Sequence, residues 1–149
     1  MKTGKYSSPD KRFFSGIFII ISIFILTSCS KNFSFLSSSV VPAARGDVKV
    51  KTDNNKNYVV EISLTDLAEP SRLQPPKLTY IVWMVTNRDI TKNIGQLKSS
   101  RGIMSKQLKG SFKTVTADKP VKIYITAEDD AGIEYPGTQI VLSTDKFNL

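Results

Sequence analysis

The sequence predicts an all-β protein, a small antiparallel β-sandwich of about seven strands that occupies residues 46–149. After residue 45 the apolar residues recur with a period of two, which is the period of a strand with one buried face. The strand-like runs are separated by turn residues at a spacing of roughly 8–12 residues, which is typical of sandwiches and small barrels. No apolar stripe of helical period and useful length follows residue 45.

The first strands of the predicted domain form a hairpin. Val48 and Val50 alternate with lysines, residues 52–57 (TDNNKN) have the composition of a turn, and a second alternating run begins at Tyr58. A loop with three prolines follows. Residues 78–86 (LTYIVWMVT) are apolar on both faces, which predicts a central strand. We expect Trp83, in the middle of this strand, to pack between the two sheets.

The later strands have shorter patterns. Residues 90–97 return as a strand in which Gly95 indicates a bulge or a close approach, and residues 107–116 alternate weakly. Residues 121–128 place Ile123 and Ile125 on one face, and residues 138–143 form the last strand after a loop over residues 129–137. The whole pattern favours an Ig-like sandwich.

The N-terminal segment has a different pattern. Residues 13–26 are a nearly unbroken apolar run that follows four basic residues, and Thr27, Ser28 and Cys29 come next. A basic segment followed by an apolar run of about 7–15 residues is the pattern of an export signal, and a spanning helix needs roughly 20 apolar residues. Leu26, Ser28 and Cys29 resemble the lipobox of bacterial lipoprotein signal peptides. The alternative is an uncleaved signal anchor in which Cys29 is incidental.

The lipobox resemblance implies the domain organisation and the location. Cleavage between Ser28 and Cys29 removes a signal peptide of residues 1–28, and acyl chains on Cys29 anchor the chain in a membrane. Residues 29–45 are then expected to be a lipidated, Ser-rich flexible tether. The expected location is the extracytoplasmic side of the cell membrane or the outer membrane. Ser30 after the cysteine resembles the sorting signal for an outer membrane.

The composition argues against an enzyme. The chain has no histidine, and Cys29 is its one cysteine. These absences remove Ser-His and Cys-His nucleophile pairs and the commonest zinc ligand. The one cluster of acidic residues lies in a single loop, whereas carboxylate hydrolysis needs two acids that converge in a cleft. We therefore predict no enzymatic activity, no cofactor and no metal. Nucleic acid is an unsuitable partner for an exported domain, despite a formal net charge of +8.

Two surface features are candidates for recognition. Glu128, Asp129 and Asp130 form an acidic cluster, and with Tyr135 they define a candidate recognition loop. The alternatives are a solvated loop or a Ca²⁺ site, for which the usual ligand spacing is absent. The second feature is a basic stretch that could face anionic lipid or polysaccharide. Its members are Lys98, Arg101, Lys106 and Lys109.

Residues 80–97 and 126–142 carry a further resemblance. The run YIVWMV, a polar turn and Gly95, followed by TAE, a Gly-containing loop and PGT, resemble the extracytoplasmic domain of anti-sigma-K-type regulators. The resemblance implies an all-β module outside the membrane. Only residues 1–12 precede the apolar run, so binding of a sigma factor is not implied. We predict a lipid-anchored cell-envelope protein whose module binds or supports an envelope protein or polysaccharide. The alternative is an envelope sensor or accessory module.

Overall fold

The computed structural model describes residues 30–101 and 107–149, which form two antiparallel sheets packed face to face. The predicted all-β sandwich is confirmed, and the described residues contain nine strands rather than about seven. A short 3-10 turn, Pro70–Arg72, lies between the third and fourth strands. The strands are β1 (Ser30–Ser34), β2 (Arg45–Thr52), β3 (Tyr58–Leu67), β4 (Thr79–Thr86), β5 (Thr91–Gln96), β6 (Lys98–Arg101), β7 (Leu108–Thr116), β8 (Pro120–Glu128) and β9 (Ile140–Ser143).

The core lies between a five-stranded sheet, in the order β1-β2-β3-β7-β6, and a four-stranded sheet, in the order β5-β4-β8-β9. Alternate residues of each strand point inward, which is why the sequence has a period of two. Val60 and Ile62 of β3 meet Val82 and Ile125 of the other sheet in one buried cluster. Burial of each such side chain stabilises the fold by about 1.5–3 kcal/mol relative to exposure.

The predicted β2–β3 hairpin is present, and its turn is held by Asp53. One carboxylate oxygen of Asp53 accepts hydrogen bonds from the backbone N–H groups of Asn55 and Asn57, each at 2.8 Å. Lys56 has a φ of 64° in this turn. Asp53, one of the residues that predicted the turn, therefore acts through side-chain to backbone hydrogen bonds.

Residues 30–45 are not the flexible tether that their composition predicted. β1 pairs with β2 from Ser30 to Ser34, and the ring of Phe33 stacks on Phe147 with centroids 4.0 Å apart. After β1 the chain crosses to the four-stranded sheet, where the Leu36 N–H donates to the Ser143 carbonyl at 2.9 Å. Val41 and Ala44 are buried. The sandwich therefore begins at Ser30 and not at residue 46.

The antiparallel register places the connections at two ends of the sandwich. The first, which we call the Ser30 end, contains the start of β1, the turns over residues 53–57, 87–90 and 117–119, and the last residues, 144–149. The pairs Ser30↔Lys51 and Thr86↔Pro120 fix this arrangement, and the Lys31 amine donates to the Asn148 carbonyl at 3.0 Å. The opposite end, the loop end, contains the loops over residues 68–78 and 129–139.

The predicted signal peptide (residues 1–28), Cys29 and Lys106 lie outside the described residues. Within residues 30–101 and 107–149, no helix has the length and apolar character needed to cross a membrane.

Candidate functional site

The outer face of the four-stranded sheet contains a fully buried tryptophan. Residues of β4 alternate between two faces: Val82 and Met84 belong to the core between the sheets, whereas Ile81 and Trp83 point away from it. Ile81 and Trp83 nevertheless have no exposed surface. Trp83 is therefore buried, as we expected, but it lies outside the space between the two sheets where the sequence placed it.

The β8–β9 loop, residues 129–139, crosses this outer face and covers it. The side-chain amide of Asn93 in β5 donates to the carbonyls of Ala131 and Ile133, at 3.0 and 2.9 Å. Asn93 lies opposite Trp83 in the β4–β5 pairing. The loop thus runs from β8 across β4 to β5, and it returns to β8 where the Ala127 N–H donates to the Gln139 carbonyl. This path explains how Trp83 is shielded from solvent.

Beneath the loop, the indole of Trp83 has one polar and one aromatic partner. Its Nε1–H donates to the hydroxyl of Thr126 at 2.8 Å, and both side chains are completely buried. Its ring stacks on Tyr124, with centroids 6.3 Å apart and planes 16° apart. Burial raises the pKa of the Tyr124 phenol above its usual value, and the charge of Glu128 adds to the effect. The Tyr124 side chain is half-buried under the loop.

The three acids of the predicted recognition loop hold the loop in place. Glu128 is buried, and its carboxylate accepts the Gly137 N–H at 2.8 Å. Asp129 forms an ion pair of 2.6 Å with Lys77, and the Asp130 carboxylate accepts the Gly132 N–H at 2.8 Å. All three acids therefore make internal contacts, and Asp129 and Asp130 are also exposed to solvent. Among the described residues, no three His, Cys, Asp or Glu side chains are grouped to hold a metal.

Tyr135 is the aromatic member of the predicted loop, and 81% of its surface is exposed to solvent. Two other large apolar side chains lie at the same end, Leu78 at 77% and Ile140 at 49% exposure. They stand on either side of β8, because the Leu78 N–H donates to the Glu128 carbonyl and Ile140 pairs with Thr126. We call Leu78, Tyr135 and Ile140 the loop-end apolar group.

Hydrogen bonds between two loops hold the backbone around the loop-end apolar group. The side-chain amide of Gln139 donates to the carbonyls of Gln74 and Pro75, at 3.3 and 3.4 Å, which joins the 129–139 loop to the 68–78 loop. No pattern in the sequence indicated that Asn93 or Gln139 would fix the loop, because both act through hydrogen bonds to distant backbone carbonyls. Leu78 was predicted as the first residue of the central strand, whereas β4 begins at Thr79 and leaves Leu78 exposed.

The described members of the predicted basic stretch lie on a pair of strands. Lys98 and Arg101 lie on the edge strand β6, and Lys109 lies on β7 opposite Ser100. Arg101 forms an ion pair with Glu69 at the loop end. Lys98 and Lys109 are exposed, and they share the five-stranded sheet with the acids Asp47 and Glu61.

No family model matches the chain, and neither a curated protein nor a solved structure is significantly similar to it. Its own residues and their geometry are therefore the basis for a functional proposal.

Proposed function

We propose that this protein is a lipid-anchored cell-envelope protein whose β-sandwich binds another envelope protein through the loop-end apolar group. The observation that supports binding is an exposed aromatic side chain, Tyr135, on a loop fixed at several points, with exposed Leu78 and Ile140 at the same end of the sandwich. Exposed tyrosines are common anchors of protein interfaces. A loop that is already ordered loses little conformational entropy when a partner binds.

The anchor is supported by the pattern around Cys29. The basic segment, the short apolar run and the sequence Leu26 to Cys29 resemble a lipoprotein signal. One acyl chain gives only marginal membrane binding, so an anchor needs two, and lipoprotein processing supplies at least two. The domain is proposed to act as a binding or structural module without enzymatic activity.

A second candidate is an envelope sensor or accessory module related to the output domains of anti-sigma-K-type regulators. The resemblance that favours it covers residues 80–97 and 126–142, and these ranges contain Trp83, its partner Thr126 and the loop above them. A regulator of this kind would bind its partner through the same loop. The two candidates differ in whether loss of the domain changes gene expression.

The anchor is tested with Cys29→Ala in the full chain, expressed in a bacterial host that is fed radiolabelled palmitate. We expect the variant to lose the label and to leave the membrane fraction, because the thiol is the proposed attachment point. Ser28→Ala is the matched control, since a small residue before the cysteine is preserved. Full labelling of Cys29→Ala would contradict the anchor.

Binding is tested with a photo-crosslinking amino acid placed at position 135 in intact cells. We expect one predominant crosslinked protein, and no such product from the same probe at Ser63, an exposed position on the outer face of the five-stranded sheet. Tyr135→Ala should weaken binding of the captured protein by about tenfold or more. Its free energy of unfolding should change by less than about 0.5 kcal/mol, because the side chain is exposed.

The same probe distinguishes the alternatives. Crosslinks that are identical at positions 135 and 63 would contradict a binding site at the loop end. If the only crosslinks are to polysaccharide, the partner of this surface is a carbohydrate and not a protein. Deletion of the domain followed by measurement of envelope-stress transcripts identifies the sensor alternative.

A further inference from the structure

The positive charge of the sandwich is concentrated at the Ser30 end. This end consists of residues 30–31, 51–58, 86–92, 116–122 and 144–149, and it contains eight lysines and arginines against four aspartates. The other described residues contain eight basic and eight acidic side chains and are formally neutral. The excess of basic residues in the described part of the chain therefore lies at one end.

The aspartates of the Ser30 end are outnumbered locally. Asp118 lies between Lys92 and Arg88, whose nitrogens are 2.5 and 2.9 Å from its oxygens. The hydrogen bond from Lys92 is the main reason that the pKa of Asp118 lies below its usual value. Within the described part of the chain, Lys56 and Lys122 form no ion pair. Both amines are therefore available to an external anion.

The five-stranded sheet shows the contrasting arrangement. Glu61 lies between Lys113 and Lys51, at 2.8 and 3.1 Å, on its outer face, and Lys51, which is counted with the Ser30 end, is thereby paired with an acid outside that end. Hydrogen bonds from Lys113 and then from Lys51 lower the pKa of Glu61. Asp47 lies on the same face, two residues along β2 from Lys49. The lysines of this face are thus accompanied by acids, and the region as a whole is balanced.

The Ser30 end is also where the proposed lipid is attached. This step rests on the proposed function, because it takes Cys29 as the acylated residue. Cys29 precedes Ser30, the first residue of β1, so their Cα atoms are about 3.8 Å apart. A flexible tether of residues 29–45 would have allowed a separation of roughly 20–25 Å. Since the Debye length is about 8 Å at physiological ionic strength, only the observed arrangement holds the basic end within reach of headgroup charge.

We propose that the Ser30 end docks on the anionic phospholipid headgroups of the membrane that holds the Cys29 lipid. The sandwich then stands with its strands along the surface normal, its basic turns at the headgroups, and Tyr135 and the rest of the loop end directed away from the bilayer. Lipid attachment brings the domain to the surface, and the basic turns set its orientation. An acyl anchor and a basic patch are the two signals that commonly act together in peripheral membrane binding.

The test uses the full, lipidated chain reconstituted in vesicles of phosphatidylcholine, with or without an equal amount of phosphatidylglycerol. Asn55→Cys places a fluorophore on the turn at the Ser30 end, and Thr138→Cys places it at the loop end; both positions are exposed. Cys29 is the one native cysteine, and acylation blocks it, so the label is specific. Spin-labelled lipids then report proximity through quenching.

We expect quenching at position 55 to be stronger with phosphatidylglycerol and to decline as salt is added, while the label at position 138 is unquenched in both vesicles. Each lysine near an anionic surface changes the ratio of docked to undocked domain about fivefold. The triple variant Lys56→Glu, Lys119→Glu and Lys122→Glu should therefore lower this ratio by at least about 100-fold at low salt, because the loss of three positive charges alone accounts for that factor. The matched control replaces three exposed lysines of the five-stranded sheet, Lys49, Lys98 and Lys109, with Glu.

Three outcomes would overturn the proposal in different ways. Equal quenching at position 55 in both vesicles, or an equal effect of the two triple variants, would rule out docking while the anchor stands. A response to added dextran sulfate but not to phosphatidylglycerol would assign the basic end to anionic polysaccharide. A chain that stays in the aqueous fraction with every vesicle would refute the lipid anchor itself. Unchanged far-UV circular dichroism shows that each variant is folded.

Discussion

The hydrogen bond between Trp83 and Thr126 allows a sharp test of the structure beneath the loop. The Nε1–H donates to the Thr126 hydroxyl at 2.8 Å, and neither side chain has exposed surface. Thr126→Val keeps the shape of the side chain and removes the acceptor, so a buried N–H is left without a partner. This change should lower the free energy of unfolding by about 1–3 kcal/mol.

Trp83→Phe removes the donor together with part of the ring. We expect a loss of about 2 kcal/mol or more from the smaller buried area and the cavity that remains. In this background Thr126→Val no longer leaves an indole N–H unpaired, so its additional cost should be close to zero. The two substitutions should therefore be coupled by about 1–3 kcal/mol.

The assay is urea unfolding followed by far-UV circular dichroism for both single variants and the double variant. Fluorescence is unsuitable, because Trp83 is the one tryptophan and Trp83→Phe abolishes the signal. The control is Thr65→Val, an exposed threonine on β3, which should change stability by less than about 0.5 kcal/mol. Additive effects of the two buried substitutions, within about 0.5 kcal/mol, would refute the hydrogen bond.

The remaining predictions concern the loop and the core. Gly137→Ala should destabilise the fold by about 1 kcal/mol or more in urea unfolding, because its Cβ would lie 2.7 Å from an oxygen of Glu128. Gly132→Ala, whose Cβ would have no atom nearer than 3.6 Å, is the matched control, and equal effects would contradict the structure. Burial raises the pKa of Tyr80 to about 12. The pKa of Tyr80 in the folded protein exceeds the unfolded value near 10. The free energy of unfolding therefore keeps the full contribution of Tyr80 below pH 10 and falls as the pH rises towards 12, by up to about 3 kcal/mol. Tyr80→Phe should make the decrease in stability at alkaline pH smaller. Parallel curves of stability against pH for the variant and the wild-type protein would show that ionisation of Tyr80 is not the cause.

The strands that border the core were predictable because burial leaves a pattern in the sequence. In β3, buried Val60, Ile62 and Leu64 alternate with half-buried or exposed residues. A strand with one buried face must place apolar residues at every second position, and this requirement is visible without a structure. Ile123 and Ile125 made β8 visible in the same way.

The edge strands left no such pattern. β1 (SKNFS) and β6 (KSSR) pair on one side through backbone hydrogen bonds, and most of their side chains are exposed. Polar residues are common on edge strands because they discourage association, so β1 had the composition of a linker. The location of Trp83 on the outer face of its sheet was also not predictable from the sequence. β4 is apolar on both faces, and the cover of its outer face depends on hydrogen bonds from Asn93 to loop carbonyls.

The recovered strand β1 determines how the two ends of the domain relate to the membrane. If the lipid is attached one residue before β1, the ten residues of β3 separate the Ser30 end from the loop end by roughly 30 Å. This length exceeds the Debye length severalfold, so headgroup charge acts on the basic turns and not on Tyr135. Orientation and partner binding are therefore separable properties. A Gly/Ser insertion between Cys29 and Ser30 should abolish the fixed orientation of the domain, because the basic end is no longer held at the surface. The insertion should preserve the affinity for the partner, because the loop that presents Tyr135 is unchanged.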